Sequence, residues 1–343
     1  MLLQMPGPDI VRSIYHQLIN GHLQDFDPEV AKLSMKLTDA TIDLHKNVMN
    51  TFLPSSIKFH YQFNLREMSN ITQGFLRMTK DRFKSSLKVA RMWVHECERV
   101  FRDRLVNASD LERFDDMLTA AVKTHFKEEP FDQLMAKPNL FTAFMDYTSD
   151  ETPVYSQVPG YEQLKKTLED RLAEYNESNA VMSLVLFQQA MEHVCRIARI
   201  IDLPRGNAML VGVGGSGKQS LARLASFINK YDVFQIAVSG TYGVNDFKEN
   251  LLQLYTKAGM KGQPVTFLLT DNQIVNERFL VFLNDLLSTG LVSDLCATED
   301  VENFTNAVRN EAKAAGVIDT HENLWDFFIE KIRRRAPLLF SWN

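Results

Sequence analysis

The run GNAMLVGVGGSGKQSLARLASFI, residues 206 to 228, leaves the chain that carries it few architectures. A short apolar stretch enters a glycine-rich turn, and a helical pattern leaves it. Gly212, Gly217 and Lys218 satisfy G-x-x-x-x-G-K, the spacing of a phosphate-binding loop. Glycines let the backbone curl so that its N–H groups point inward. The expected cradle is Gly212, Val213, Gly214, Gly215, Ser216, Gly217, Lys218 and Gln219. Lys218 would reach the outer phosphates, and the helix opening near Gly217 would add its positive N-terminal dipole.

Two further apolar runs, VFQIAV and PVTFLLTDN, are separated by helical stretches. Strands that alternate with helices imply a parallel sheet buried on both faces. The expected fold from residue 161 onward is therefore α/β, a P-loop NTPase sheet flanked by helices. RFLVFLNDLLSTG, ENFTNAVRNEAKAAG and NLWDFFIEKIRRR follow as helices.

Two positions depart from a hydrolytic site. Magnesium in such loops takes a serine or threonine hydroxyl after the lysine, and here that residue is Gln219. Ser220 does not substitute, because one step along a helix turns a side chain by about 100°. At the end of PVTFLLTDN, Asp271 is placed to orient a metal-bound water, a candidate magnesium residue. The next residue is Asn272, which cannot accept a proton at neutral pH. Nearby Glu277 reads as a solvated residue opening the next helix. The pattern is that of a site that binds without turning over, and no catalytic residue is assigned.

The first part of the chain reads differently. DIVRSIYHQLINGHL and PEVAKLSMKLTDATIDLHKNVMNTFL carry apolar residues at helical spacing. FLPSSIKFHYQF reads as a short β-rich segment after a proline stop. Three further helices are expected, LREMSNITQGFLRM, SLKVARMWVHECERVFRDRLV and DLERFDDMLTAAVKTHF, the last opened by Ser109 or Asp110 as N-cap. Between about 129 and 160 four prolines and few long apolar faces mark a boundary. After it, YEQLKKTLEDRLAEYNES and VMSLVLFQQAMEHVCRIARII are helical. The expected organisation is a helical domain over 1–140, a linker over 141–160 and the P-loop domain over 161–343.

The net charge of −5 argues against a broadly basic, nucleic-acid-binding surface. No apolar run reaches the 18 or so residues a membrane span needs. Cys97, Cys195 and Cys296 form no CxxC pair, so neither a disulfide framework nor a zinc knuckle is indicated. HECER, from His95 to Arg99, lacks the second histidine of a zinc-protease helix and reads as a charged helix face. Arg333, Arg334 and Arg335 read as complements to a helix dipole rather than a phosphate clamp.

GNAMLVGVGGSGKQSLARLASF, IKFHYQFNLREMSNITQGFL, WVHECERVFRDRL, TFLLTDNQIVNERFLVFLNDLLSTG and NLWDFFIEKIRR together resemble the heavy chain of axonemal dynein. The resemblance covers nearly the whole chain. It implies the α-helical small subdomain that ends the third AAA+ module, followed by the large subdomain of the fourth. In that family six AAA+ modules form an ATP-driven, minus-end-directed microtubule motor of cilia and flagella. The third and fourth modules are regulatory nucleotide sites, which implies ATP or ADP as ligand, with magnesium possible. It places Arg66, in FNLRE, at the sensor-2 position of the preceding module, with a structural ion pair as the equal alternative in this chain.

The implied partners are neighbouring AAA+ modules and, through the full-length parent alone, intermediate chains, light chains and microtubules, with no nucleic acid and no membrane. The implied location is the cytoskeleton of the ciliary axoneme. RRRAPLLFSWN departs from the family, in which a central strand with a sensor-1 residue follows IRR, so a sheet truncated before that strand is expected, with an exposed edge. From the residues alone, an independent P-loop kinase or NTPase and a helical interaction module with a decayed loop stay open.

Overall fold

The computed structural model describes residues 6–145 and 154–342, which fall into two compact units divided between Gln163 and Leu164.

The first unit is helical. Its elements are α1 (Pro8–Leu23), α2 (Pro28–Ala31), α3 (Ser34–Thr51), α4 (Leu65–Phe75), α5 (Ser86–Val100), α6 (Ala108–His125) and α7 (Phe131–Leu134). The run expected as one long helix is broken at Lys32 and Leu33, where the Leu33 N–H turns back to the Val30 carbonyl at 3.0 Å. The expected β-rich segment is not a strand. Its backbone is used in turns, with the Tyr61 N–H donating to the Lys58 carbonyl at 3.1 Å. Among the described residues no strand pairs with it. Phe52, Tyr61 and Phe63 nevertheless pack inward as an aromatic cluster. The N-cap of α6 is Asn107 rather than Ser109 or Asp110. Asp110 is spent elsewhere: its Oδ2 accepts from Lys58 Nζ at 2.5 Å and from the Tyr61 hydroxyl at 2.9 Å.

HECER is not a solvated face. His95 and Glu96 are 1% and 0% exposed, and every residue of α5 from Val89 to Glu98 is buried. His95 Nδ1 lies 3.0 Å from the Asn139 carbonyl and His95 Nε2 lies 3.0 Å from the Tyr155 hydroxyl, which donates to Glu96 Oε1 at 3.1 Å. A helix buried all round must find internal partners for its polar side chains. Asn139 stands at the end of the expected helical domain, and Tyr155 comes from the stretch expected as a linker. Of that stretch, 146–153 lie outside the described residues. The rest supplies β1 (Phe141–Thr142) and β2 (Ser156–Gln157), paired antiparallel, so it belongs to the helical unit's core.

The second unit begins within the first turn of α8 (Tyr161–Ser178) and carries α9 (Gln188–Asp202), β3 (Ala208–Val211), α10 (Lys218–Ile228), β4 (Asp232–Phe234), α11 (Val244–Tyr255), β5 (Val265–Thr270), α12 (Arg278–Ser288), α13 (Thr298–Ala314), α14 (His321–Arg335) and β6 (Leu338–Trp342). The helix expected to begin near Val181 begins instead at Gln188, because Asn176 holds the Met182 backbone through both its amide groups, at 2.8 and 3.2 Å.

The sheet is parallel, in the order β3-β6-β5-β4. The expectation that a central strand is missing is overturned. LLFSW is that strand, inserted between β3 and β5, with Ser341 level with Leu210 on one side and Thr270 on the other. Its alternation fits the place: Leu338 and Phe340 join the core cluster under α11 to α14, while Leu339 and Ser341 are buried on the other face. Exposed Met209 and Val211 mark β3 as an outer strand among the described residues. Active groups collect at the carboxyl ends of such strands, where the loops leave the sheet.

Candidate nucleotide site

The loop that leaves β3 has the shape its glycines permit. Gly215 and Gly217 have φ of 78° and 79°, the left-handed region that other residues enter only with strain. Between them the Ser216 N–H donates to the Val213 carbonyl at 3.2 Å, tightening the turn. Gly217 caps α10, whose first bond runs from the Leu221 N–H to the Gly217 carbonyl at 2.9 Å. The first turn of α10 therefore opens directly onto the loop, with its N–H groups and positive dipole end directed there. Lys218 folds back over the loop: its Nζ donates to the Gly212 carbonyl at 2.5 Å, the Val213 carbonyl at 2.9 Å and Ser216 Oγ at 3.4 Å. Val213 to Ser216 are exposed, so the cradle is open to solvent.

Across β6 stands the acidic half. Thr270 ends β5, and Asp271 opens a 3-10 turn through Gln273. The registers place Asp271 and Gly212 just past strand ends at the same edge of the sheet, with β6 between them. Two strand spacings put their backbones on the order of 10 Å apart. Asp271 is half-buried and Asn272 exposed. Gln273 was not legible as functional, yet its side chain bonds both the Thr270 N–H and the Ile236 carbonyl, at 2.9 and 2.6 Å. Trp342 was missed as well, and its carbonyl receives the Gly212 N–H at 3.2 Å.

The donor set fits a nucleotide better than it fits a tightly held metal. Backbone N–H groups, a lysine and a helix N-terminus converge on the loop, which suits phosphate oxygens. For magnesium there is Asp271, with exposed Gln219 in place of a hydroxyl. Among the described residues no group of three or more His, Cys, Asp or Glu could hold a metal ion.

The remaining candidates lie elsewhere. Arg66 is in the first unit, on the first turn of α4, where Asn64 Oδ1 accepts its backbone N–H at 2.8 Å. Its side chain is exposed and makes no ion pair among the described residues. Exposed Glu277 stands at the N-cap position of α12, as expected. The arginines closing α14 serve the fold: Arg333 donates to the Ser288 carbonyl, Arg334 pairs with Glu330, and Arg335 donates to the Gly262 carbonyl.

Residues 182–343 match the family model of the P-loop containing dynein motor region D4, and residues 37–136 match that of the AAA+ lid domain. Over 99% of its length the chain is 63% identical to the dynein beta chain of the flagellar outer arm of Chlamydomonas reinhardtii. It is 48% identical to a ciliary dynein beta chain of Tripneustes gratilla and 45% to human dynein axonemal heavy chain 9, again over 99% of its length. It spans 8% of the length of each of these relatives. With a lid and a P-loop region in that order, and this identity along both, the chain belongs to the axonemal dynein heavy-chain family.

Proposed function

We propose that this chain is a nucleotide-binding regulatory part of a ciliary dynein heavy chain, holding ATP or ADP on Gly212–Gln219 without efficient hydrolysis. The observation that carries the reading is the loop itself: Gly215 and Gly217 in left-handed conformations, with Lys218 Nζ inside the curl they make. Residues that made only a structural turn would not need a lysine folded into it. Gln219 and Asn272 support the second half of the reading, since one removes the usual metal hydroxyl and the other the usual proton acceptor.

The partners proposed are the neighbouring AAA+ modules of a dynein ring. Microtubules, intermediate chains and light chains are reached only through the full-length parent. The proposed location is the axoneme, on the ciliary, flagellar and axonemal names of the relatives. Arg66 is proposed as the sensor of a nucleotide bound by the preceding module, supported by its exposed side chain, which makes no ion pair among the described residues, beside a capped helix start.

The test is calorimetric titration of ATP and ADP with magnesium into the wild type and Lys218→Ala, followed by phosphate release from the same samples. Binding that Lys218→Ala abolishes, without release from the wild type, is the expected result. Turnover by the wild type overturns the non-hydrolytic part. A folded sample that binds neither nucleotide overturns the whole.

A further inference from the structure

One side chain holds the end of β5. Gln273 Oε1 accepts the Thr270 N–H at 2.9 Å, and its Nε2 donates to the Ile236 carbonyl at 2.6 Å. Thr270 is the last residue of β5, Ile236 lies just past β4, and these strands are parallel neighbours. A single amide therefore ties together the exits of adjacent strands, with both its acceptor and its donor used. Thr270 and Ile236 are 6% and 3% exposed, so both backbone groups sit where an unmade hydrogen bond costs most. The same turn is closed again by the Ile274 N–H on the Asp271 carbonyl at 3.0 Å.

We propose that Gln273 is a positioning residue that holds the backbone of Asp271 so that its carboxylate meets the magnesium–nucleotide complex bound on the loop. The inference rests on the nucleotide reading above. With Gln219 where a metal-binding hydroxyl would stand, any metal here depends on Asp271 more heavily than in a complete site. The aim of a lone carboxylate is set by its backbone, and this backbone is clamped on both sides. Neither glutamate nor leucine would do the same work. Glutamate keeps the acceptor but loses the donor and sets a charge beside a carbonyl. Leucine makes neither bond. Groups that orient a metal-facing carboxylate matter nearly as much as the carboxylate.

The experiment titrates ATP, with and without magnesium, into the 343-residue chain and its Gln273→Leu and Gln273→Glu variants. Each variant is expected to weaken magnesium–ATP binding by about tenfold and to leave magnesium-free ATP binding unchanged. In an Asp271→Asn background, Gln273→Leu is expected to have no further effect, because the group it positions is gone. A folded variant that binds magnesium–ATP like the wild type, or a loss that adds to that of Asp271→Asn, overturns the proposal. Wild-type binding that ignores magnesium overturns it too, while leaving the nucleotide reading intact. No nucleotide binding by folded wild type is instead the failure of that reading. If both variants unfold, amide exchange in the wild type decides. Strong protection of the Thr270 N–H supports the clamp, and exchange at the rate of an exposed amide ends it.

Discussion

The backbone N–H of Gly212 donates to the carbonyl of Trp342 at 3.2 Å, so the phosphate loop starts from a bond to the last described residue of β6. The loop and the acidic turn are thus joined through a strand that pairs with β3 on one side and β5 on the other. A disturbance of the loop is a disturbance of the sheet edge that also carries Asp271.

Gly217→Ala tests the loop's conformation apart from any contact. A Cβ there would meet nothing within 4 Å, so the only penalty is a left-handed backbone at φ 79°. The expected loss of stability is about 1–2 kcal/mol, read from urea unfolding, together with weaker nucleotide binding. An unchanged midpoint with unchanged binding would mean that the loop is not held in this shape.

Gly74→Ala probes the crossing of α4 and α5. The new Cβ would run into the carboxyl group of Glu96 and lie 2.7 Å from its Cγ. Glu96 is wholly buried and hydrogen-bonded, so it has nowhere to move. Overpacking of this kind costs about 1–3 kcal/mol. Equal urea midpoints for variant and wild type would show that the helices do not cross there.

Tyr155→Phe asks whether the supposed linker is part of the helical unit. The hydroxyl bridges Glu96 Oε1 and His95 Nε2, and its ring lies 3.8 Å from the Arg77 guanidinium carbon. Removing it takes a partner from buried polar groups, at an expected cost of about 1–3 kcal/mol. A hinge-like linker would lose nothing measurable.

How much of this was open to sequence reasoning follows from the range of the interactions. The curled turn from Gly212 to Lys218 was legible because its residues lie within a few positions of one another, and the backbone a glycine permits is a local matter. Asp271 was legible as the polar end of a fully buried strand. The strand Leu338–Trp342 was not, because its neighbours β3 and β5 lie far back in the chain. Residues 52–63 failed in the opposite sense: Phe52, Tyr61 and Phe63 bury as a strand face would, while Phe59 is exposed, and among the described residues no strand pairs with them. His95 and Glu96 looked solvated because polar residues on a helix usually are, and their partners Tyr155 and Asn139 come from a proline-bearing stretch that reads as a connection. Gln273 carries no motif at all. Its role exists only once β4 and β5 are side by side.

His45 predicts a pH dependence. Its ring is buried on α3, with Nε2 3.0 Å from the Asn64 carbonyl, and burial holds its pKa below the usual 6.5, against the weaker opposing pull of that carbonyl and of Glu67. In the unfolded chain the ring takes up a proton near 6.5, while in the folded chain it resists until lower pH. The unfolded state therefore binds more protons in that window, and stability falls as pH drops through it. Stability from this group is fully present above 6.5 and is lost below it. Urea midpoints from pH 7.5 downward should show the slope, and His45→Gln should flatten it. A wild type and variant that lose stability in parallel would show that the slope comes from other groups.

Gln219 and Asn272 are the pair on which the binding-only reading stands, and restoring both tests it directly. A threonine at 219 would place a hydroxyl on the first turn of α10, next to Lys218, where a nucleotide's magnesium is expected. A glutamate at 272 would stand in an exposed turn beside Asp271, able to take a proton from an attacking water. Each acts on a different step, metal placement and water activation, so neither single change is expected to recover much. Gln219→Thr with Asn272→Glu together is expected to raise phosphate release by about 10²-fold or more over the wild type, the usual contribution of a positioned general base. Nucleotide affinity should change far less, because the glycines and Lys218 are untouched. A wild type that already releases phosphate as fast as the double variant would mean that another residue supplies the base, and that neither Gln219 nor Asn272 limits the site.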